Sequence, residues 1–212
     1  MKVSINEAEV MATKAAWGAG RPWGLAQEAG RAVAWLEAMR LPGAVSLLAL
    51  LVASDGVPCE QLRPVATRDG VWQGAGPLCP VLAGAYISDR GGEAFASSLR
   101  EVYSPLLLLP FASLARPGVQ VAWSTTSIVA NRVEASVEGS GLSDGFVETV
   151  LVSPAPPSEP AMQTVTHSLR TGPVDIADEI WEALSAFAHR TYVPASESSR
   201  LKGAGAGLTD ND

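Results

Sequence analysis

The side chains best suited to chemistry in this 212-residue chain are His167 and Glu148. His167 alternates with Val165 and Leu169 along one face of a pleated stretch, and Glu148 does so with Phe146, Val150 and Val152. An imidazole partly buried among apolar groups is a tunable general base near neutral pH. A carboxylate facing the same cavity from an adjacent strand would complete an acid–base pair, so these two are the catalytic candidates. A lone histidine on an apolar face is nevertheless more often a satisfied core residue.

The ligand-binding candidates lie in two other places. Arg200, Lys202, Gly203 and Gly205 place two cations before glycines whose N–H groups could wrap an anion, with Arg170 as a further cation. Strong cradles of this kind have a strand before and a helix after. Here only Leu208-Thr209-Asp210-Asn211-Asp212 follows, so a mobile terminus is the default and a flap over a pocket the minority reading. Arg21 and Trp23, with Trp17, sit among glycines between two helical segments. They read either as an aromatic rim around a ligand or, preferably, as large side chains locking a helical hairpin.

Weaker groupings carry less. Glu182, Ser185 and His189 share one helical stripe, but Glu182 and His189 are two turns apart, roughly 10 Å. Asp210 and Asp212 at a chain end make a poor cation site. Cys59 and Cys79 are too few for a disulfide framework and lack zinc spacing, so two small hydrophobes in a reducing compartment are expected. Cys79, before Pro80, is the better nucleophile of the two. No metal ligand set is legible.

These residues must be positioned by an α+β fold. Ser4-Ile5-Asn6-Glu7 has capping-box spacing and opens a helix to about residue 16, whose inner face is Ile5, Ala8, Ala12, Ala15 and Ala16. Pro22 opens a second helix to about residue 40, with Leu25, Ala29, Ala32, Val33 and Leu36 inside and Gln27, Glu28, Arg31 and Glu37 mostly outside. A third, over 42–54, is apolar on every side and should be buried all round.

From 57 to 92 glycines and prolines punctuate short apolar pieces, with a strand expected over 81–87 and a short helix over 93–102. The run 106–109 fits strand or helix. Alternation then marks strands over 118–124, 127–138, 145–153 and 161–169, with Gly139-Ser140-Gly141 and Ser143-Asp144-Gly145 as hairpin turns. Ala177, Ile180, Trp181, Leu184, Phe187 and Ala188 follow helical spacing over 172–190, a helix expected to cover the sheet. The expected organisation is one domain over 1–190 and a Gly-rich tail over 191–212.

The totals narrow the function classes. Net charge is −7, with 15 basic against 22 acidic residues and no basic cluster, which speaks against nucleic acid or an anionic membrane as partner. The N-terminal segment turns acidic where a signal peptide needs its apolar stretch, and the longest apolar runs fall short of the roughly 20 residues a span requires. The expectation is a cytoplasmic protein.

Val3-Ser4-Ile5-Asn6-Glu7-Ala8-Glu9, Gly18-Ala19-Gly20-Arg21-Pro22-Trp23-Gly24-Leu25-Ala26 and Thr191-Tyr192-Val193-Pro194-Ala195-Ser196-Glu197 resemble a bacterial family of uncharacterised proteins of similar length, over nearly the whole chain. That resemblance implies no activity, cofactor or catalytic residue. The first 40 residues faintly resemble the helical entry segment of the malate/lactate/sulfolactate-type dehydrogenases. Where those place Ser-His-Gly, this chain has Leu41-Pro42-Gly43.

Two functions follow as expectations. One is a small-molecule-binding protein or metabolic enzyme with its pocket between the sheet and the C-terminal tail or the Trp17–Trp23 hairpin. The other is a non-catalytic subunit that self-associates or pairs with a partner through its Ala/Gly-rich helices.

Overall fold

The computed structural model describes residues 1–67, 69–90, 97–116, 118–157 and 164–192. The first helix, α1 (Ile5–Gly18), starts on the expected capping box. The Glu7 N–H donates to Ser4 Oγ at 3.1 Å, and the Ser4 N–H donates to Glu7 Oε2 at 2.7 Å. Ala8, Ala12, Ala15 and Ala16 are buried, so α2 (Trp23–Ala38) can approach along a face of methyl groups. A Cβ on Gly30 would lie 2.0 Å from Thr13 Oγ1 and 2.8 Å from the Glu9 carbonyl oxygen. Only glycine permits that approach.

Helix α3 (Gly43–Ala53) follows, and one of its sides is open. Val52 is exposed and Val45, Leu48 and Ala49 are half-buried, so burial all round is not observed. The run 81–87 lies within a helix, α4 (Pro80–Arg90), rather than a strand. Pro80 fits the start of a helix, where its missing N–H costs nothing. Residues 97–102 belong to a strand rather than a short helix, and 93–96 lie outside the described residues. The run 106–109 forms a 3₁₀ turn, Pro105–Leu108, leading into α5 (Leu109–Ala115).

Among the described residues the main sheet has eight strands: β2 (Val65–Ala66), β3 (Val71–Gln73), β4 (Ser97–Tyr103), β5 (Val119–Trp123), β6 (Thr126–Ala130), β7 (Glu134–Glu138), β8 (Phe146–Pro154) and β9 (Val165–Ser168). Their order is β2-β3-β4-β8-β5-β6-β7-β9, antiparallel throughout except for β3 with β4. The expected strand over 127–138 is therefore two strands. The segment 139–145 is a crossover and not a hairpin, because β8 leaves β7 to lie between β4 and β5. Trp123 pins that crossover, its Nε1–H donating to Asp144 Oδ2 at 3.1 Å and the Gly141 carbonyl at 3.2 Å.

A two-stranded ladder joins β1 (Lys2–Val3) to β10 (Val174–Asp175), and α6 (Asp178–His189) closes the chain's helical layer. This last helix packs on α1 and α3 rather than covering the sheet. A Cβ on Gly18 would lie 1.8 Å from the Phe187 carbonyl oxygen, so the α1–α6 approach also needs glycine. Arg190 grips Asp55 with both guanidinium nitrogens, at 2.7 and 3.0 Å, and its hydrogen bonds hold the Asp55 carboxyl below its usual range.

One contiguous hydrophobic core runs from Ala12 and Leu36 in the helices to Val121, Ile128 and Val150 in the sheet. The architecture is α+β, an N-terminal helical layer on a mainly antiparallel sheet. Among the described residues no helix is long and apolar enough to cross a membrane.

Candidate functional site

His167 and Glu148 do not meet. Glu148 is on β8 and His167 on the edge strand β9, with β5, β6 and β7 between them. Four strand spacings put them on the order of 19 Å apart. His167 is opposite Ala135, a fully buried residue, so it does face the helical side. It stays half-buried because an edge strand has a neighbour on one flank only. Val165 and Leu169, its face-mates, are 60% and 46% exposed.

Glu148 is exposed for a local reason. The β4–β8 ladder pairs Arg100 with Thr149 and Val102 with Val147, and skips Glu101 and Glu148 between them. Glu101 has φ +51°, a left-handed conformation within a strand. The face that points inward switches there, so that Leu99 and Val102, three residues apart, are both fully buried. Val147 and Val150 make the same switch opposite them, and Glu148 falls on the outside.

The remaining ligand-binding candidates separate cleanly. Arg200, Lys202, Gly203 and Gly205 lie outside the described residues. Arg170 is exposed, and its backbone N–H donates to the Ala38 carbonyl at 3.0 Å, tying the end of the β9 segment to the end of α2. Arg21 is 4% exposed and clamps the turn after α3. Its NH2 donates to Ser54 O (3.1 Å) and Ser54 Oγ, and its NH1 to Val57 O (3.3 Å) and Cys59 Sγ (3.6 Å). It closes structure and does not reach an open cavity. Burial pushes the Cys79 thiol up, away from the nucleophilic thiolate.

Trp23 does line a cavity. A groove of about 220 Å³ runs between α1 and α2, walled by Glu9, Val10, Thr13, Lys14, Trp23, Gln27 and Arg31. At its end Trp17 and Trp23 meet edge to face, their ring centroids 5.2 Å apart. They are 46% and 51% exposed, so they do not lock the hairpin from within as the sequence suggested. The close α1–α2 approach at Gly30 sets Glu9 and Thr13 beside Gln27 and Arg31. Lys14 Nζ stands 6.0 Å from the ring of Tyr192, which in turn packs edge-on against His189.

A second cavity, also about 220 Å³, was not legible in the sequence. Glu37, Arg40, Leu41, Pro42, Val174 and Asp175 line it. Glu37 was expected outside but is 8% exposed, with Oε1 accepting the Ala44 N–H at 2.8 Å at the start of α3. Burial holds its carboxyl above the usual range, against the pull of the Ala44 and Gly43 N–H groups. Arg40 has φ +56°, in the position after the α2 cap. The Arg40 N–H reaches Glu37 O and the Leu41 N–H reaches Leu36 O, the pattern that ends a helix on a left-handed residue. Glycine is the usual occupant, and an L side chain there costs about 1–2 kcal/mol. An arginine just before Leu41-Pro42-Gly43 was the signal that could have drawn attention to this corner.

Among the described residues no three His, Cys, Asp or Glu side chains gather as a metal site. Residues 3–76 match the family model of a protein of unknown function (DUF3726), so the likeness to an uncharacterised family holds over the helical N-terminal part and the first strands of the sheet. No curated protein matches by sequence. Among solved structures, malate dehydrogenase from Entamoeba histolytica is similar at 10% identity over 74% of this chain and 50% of that one, with a TM-score of 0.42. The chain thus spans about half the length of that enzyme, and a likeness at this level assigns no activity.

Proposed function

We propose that this chain binds a small planar organic anion in the groove between α1 and α2. The observation that carries this reading is the pair of half-exposed indoles, Trp17 and Trp23, at a groove that also presents Lys14 and Arg31. Leaving two indoles in water forgoes burial worth roughly 25 cal/mol per Å² of apolar surface. A ligand ring laid on them recovers part of it, while Lys14 takes an acidic group, Arg31 being already ion-paired with Glu28 at 2.8 Å. Gln27, Thr13 and Glu9 supply polar contacts to orient the ring, the usual division of labour in a ligand cleft. The reading is of a binding protein.

Titration with an aromatic carboxylate such as indole-3-carboxylate, followed by amide chemical shifts, tests it. Shifts should map to Val10, Thr13 and Gln27, and Trp23→Ala should weaken binding at least tenfold. Shifts elsewhere, or binding unchanged in Trp23→Ala, would defeat the reading. Repeating the titration on a chain ending at Tyr192 measures the contribution of residues 193–212.

A second reading, self-association, has one observation in its favour. Val133, Val165 and Leu169 are exposed beside the edge strand β9, and an edge strand is a template for pairing with another chain. Light scattering decides it: a dimer that dissociates in Val165→Lys supports it, and a monomer at all concentrations removes it.

A further inference from the structure

We infer that the cavity at the junction of α2, α3 and β10 is a separate binding site, for a small zwitterion whose carboxylate sits on Arg40 and whose ammonium sits between Glu37 and Asp175. The argument starts from charges that share a cavity without neutralising one another. Glu37, Arg40 and Asp175 all line it, yet no two of them form a salt bridge. Lys2, opposite Asp175 in the β1–β10 ladder, makes no ion pair with it either. Glu37 is more than nine-tenths buried and receives backbone N–H groups but no cation, which is the costly state for a carboxylate. Arg40 holds its guanidinium in the open with no carboxylate partner among the described residues.

The backbone points the same way. Arg40 occupies a left-handed helix end that glycine would fill without strain. Strained positions persist where something over-determines them, and they cluster at ligand clamps. A zwitterion supplies both missing partners at once, a carboxylate that a guanidinium recognises bidentately and an ammonium for the buried carboxylate. About 220 Å³ is below the range of drug-sized pockets and suits a ligand the size of a small amino acid. This site shares no residue with the α1–α2 groove, so it stands or falls independently.

The test uses the full chain and three probes of nearly equal size. L-alanine carries both charges, propionate lacks the ammonium and ethylamine lacks the carboxylate. L-alanine should shift the amides of Leu41, Ala44 and Asp175 and bind at least tenfold more tightly than either of the others. Arg40→Gly should raise the melting temperature by a few degrees, because it relieves strain, and yet lose at least tenfold in L-alanine affinity. Glu37→Gln, which keeps an acceptor for the Ala44 N–H, should lose affinity for L-alanine and not for propionate. Absence of shifts with L-alanine would overturn the inference. So would propionate binding as tightly as L-alanine, or undiminished affinity in Arg40→Gly.

Discussion

Two glycines in the same helix provide the sharpest check on the packing that builds the α1–α2 groove. Gly24 and Gly30 both lie in α2, and both would gain helix propensity on replacement by alanine, about 0.8–1 kcal/mol in a helix interior and somewhat less in the first turn. A Cβ at Gly24 meets nothing within 4 Å, so Gly24→Ala should stabilise by about 0.5–1 kcal/mol. A Cβ at Gly30 falls 2.0 Å from Thr13 Oγ1 and 2.8 Å from Glu9 O. The Thr13 hydroxyl can rotate, but the Glu9 carbonyl belongs to the α1 backbone and cannot move without the helix. Overpacking of this kind costs about 1–3 kcal/mol, which outweighs the propensity gain and leaves Gly30→Ala destabilised by about 1–2 kcal/mol. The two variants should then differ by about 2 kcal/mol in urea unfolding, or about 4–8 °C in melting temperature for a chain of this size. Because Glu9 and Thr13 also wall the groove, Gly30→Ala should weaken ligand binding there, and Gly24→Ala should not. Equal stabilities, or a more stable Gly30→Ala, would refute the claim that α1 and α2 are in backbone contact.

Two further outcomes follow from burial. Glu37 is held above its ordinary 4.5, so between that value and its raised one the native chain binds more protons than the unfolded chain. Stability therefore falls as pH rises through this window, with a slope of up to about 1.4 kcal/mol per pH unit. Urea unfolding of wild type against Glu37→Gln from pH 4 to 7 should show the wild type losing ground with rising pH, and a flat difference would contradict the burial. For the cysteines, a thiol reagent such as DTNB should label the half-buried Cys59 in the native protein and reach Cys79, 1% exposed, only after unfolding. Mass spectrometry of the labelled peptides separates the two, and equal labelling in the native state would contradict the placement of Cys79.

The parts of the fold that the sequence made legible are those decided locally. Ser4 and Glu7 satisfy each other within one turn, and the Ala8–Ala12–Ala16 face repeats at helical spacing, so both needed no knowledge of the rest of the chain. The apolar run 81–87 was misassigned because seven residues are too few to separate a period of 2 from one of 3.6. The crossover at 139–145 escaped because a glycine turn looks the same whether the strands it joins are neighbours or lie three strands apart. Glu148 was placed inward by counting alternation straight through its strand, which fails wherever a residue such as Glu101 turns left-handed. Glu37 was placed outward because helical spacing does not know that α3 returns across the end of α2 and sets Gly43 and Ala44 against the carboxylate.

The packing of the helical layer explains where its cavities lie. The helices approach through alanine and glycine, and such packing leaves no room inside. The slot lined by Arg21, Leu25, Ala29, Leu50 and Cys79 measures about 10 Å³, room for one water at most. Among the described residues, cavities of about 220 Å³ lie where the helices part, along the outer groove of α1 and α2 and at the corner where α2 gives way to α3. At the α2–α3 corner Glu37, Arg40 and Asp175 line one cavity without forming a salt bridge with one another. Glu37 accepts the Ala44 N–H at the start of α3, while Arg40 closes α2 with its backbone N–H and leaves its guanidinium exposed. The close packing that excludes chemistry from the core thus leaves unmatched charge at its margins, which is why the helical layer, rather than the sheet face bearing His167, holds both candidate sites.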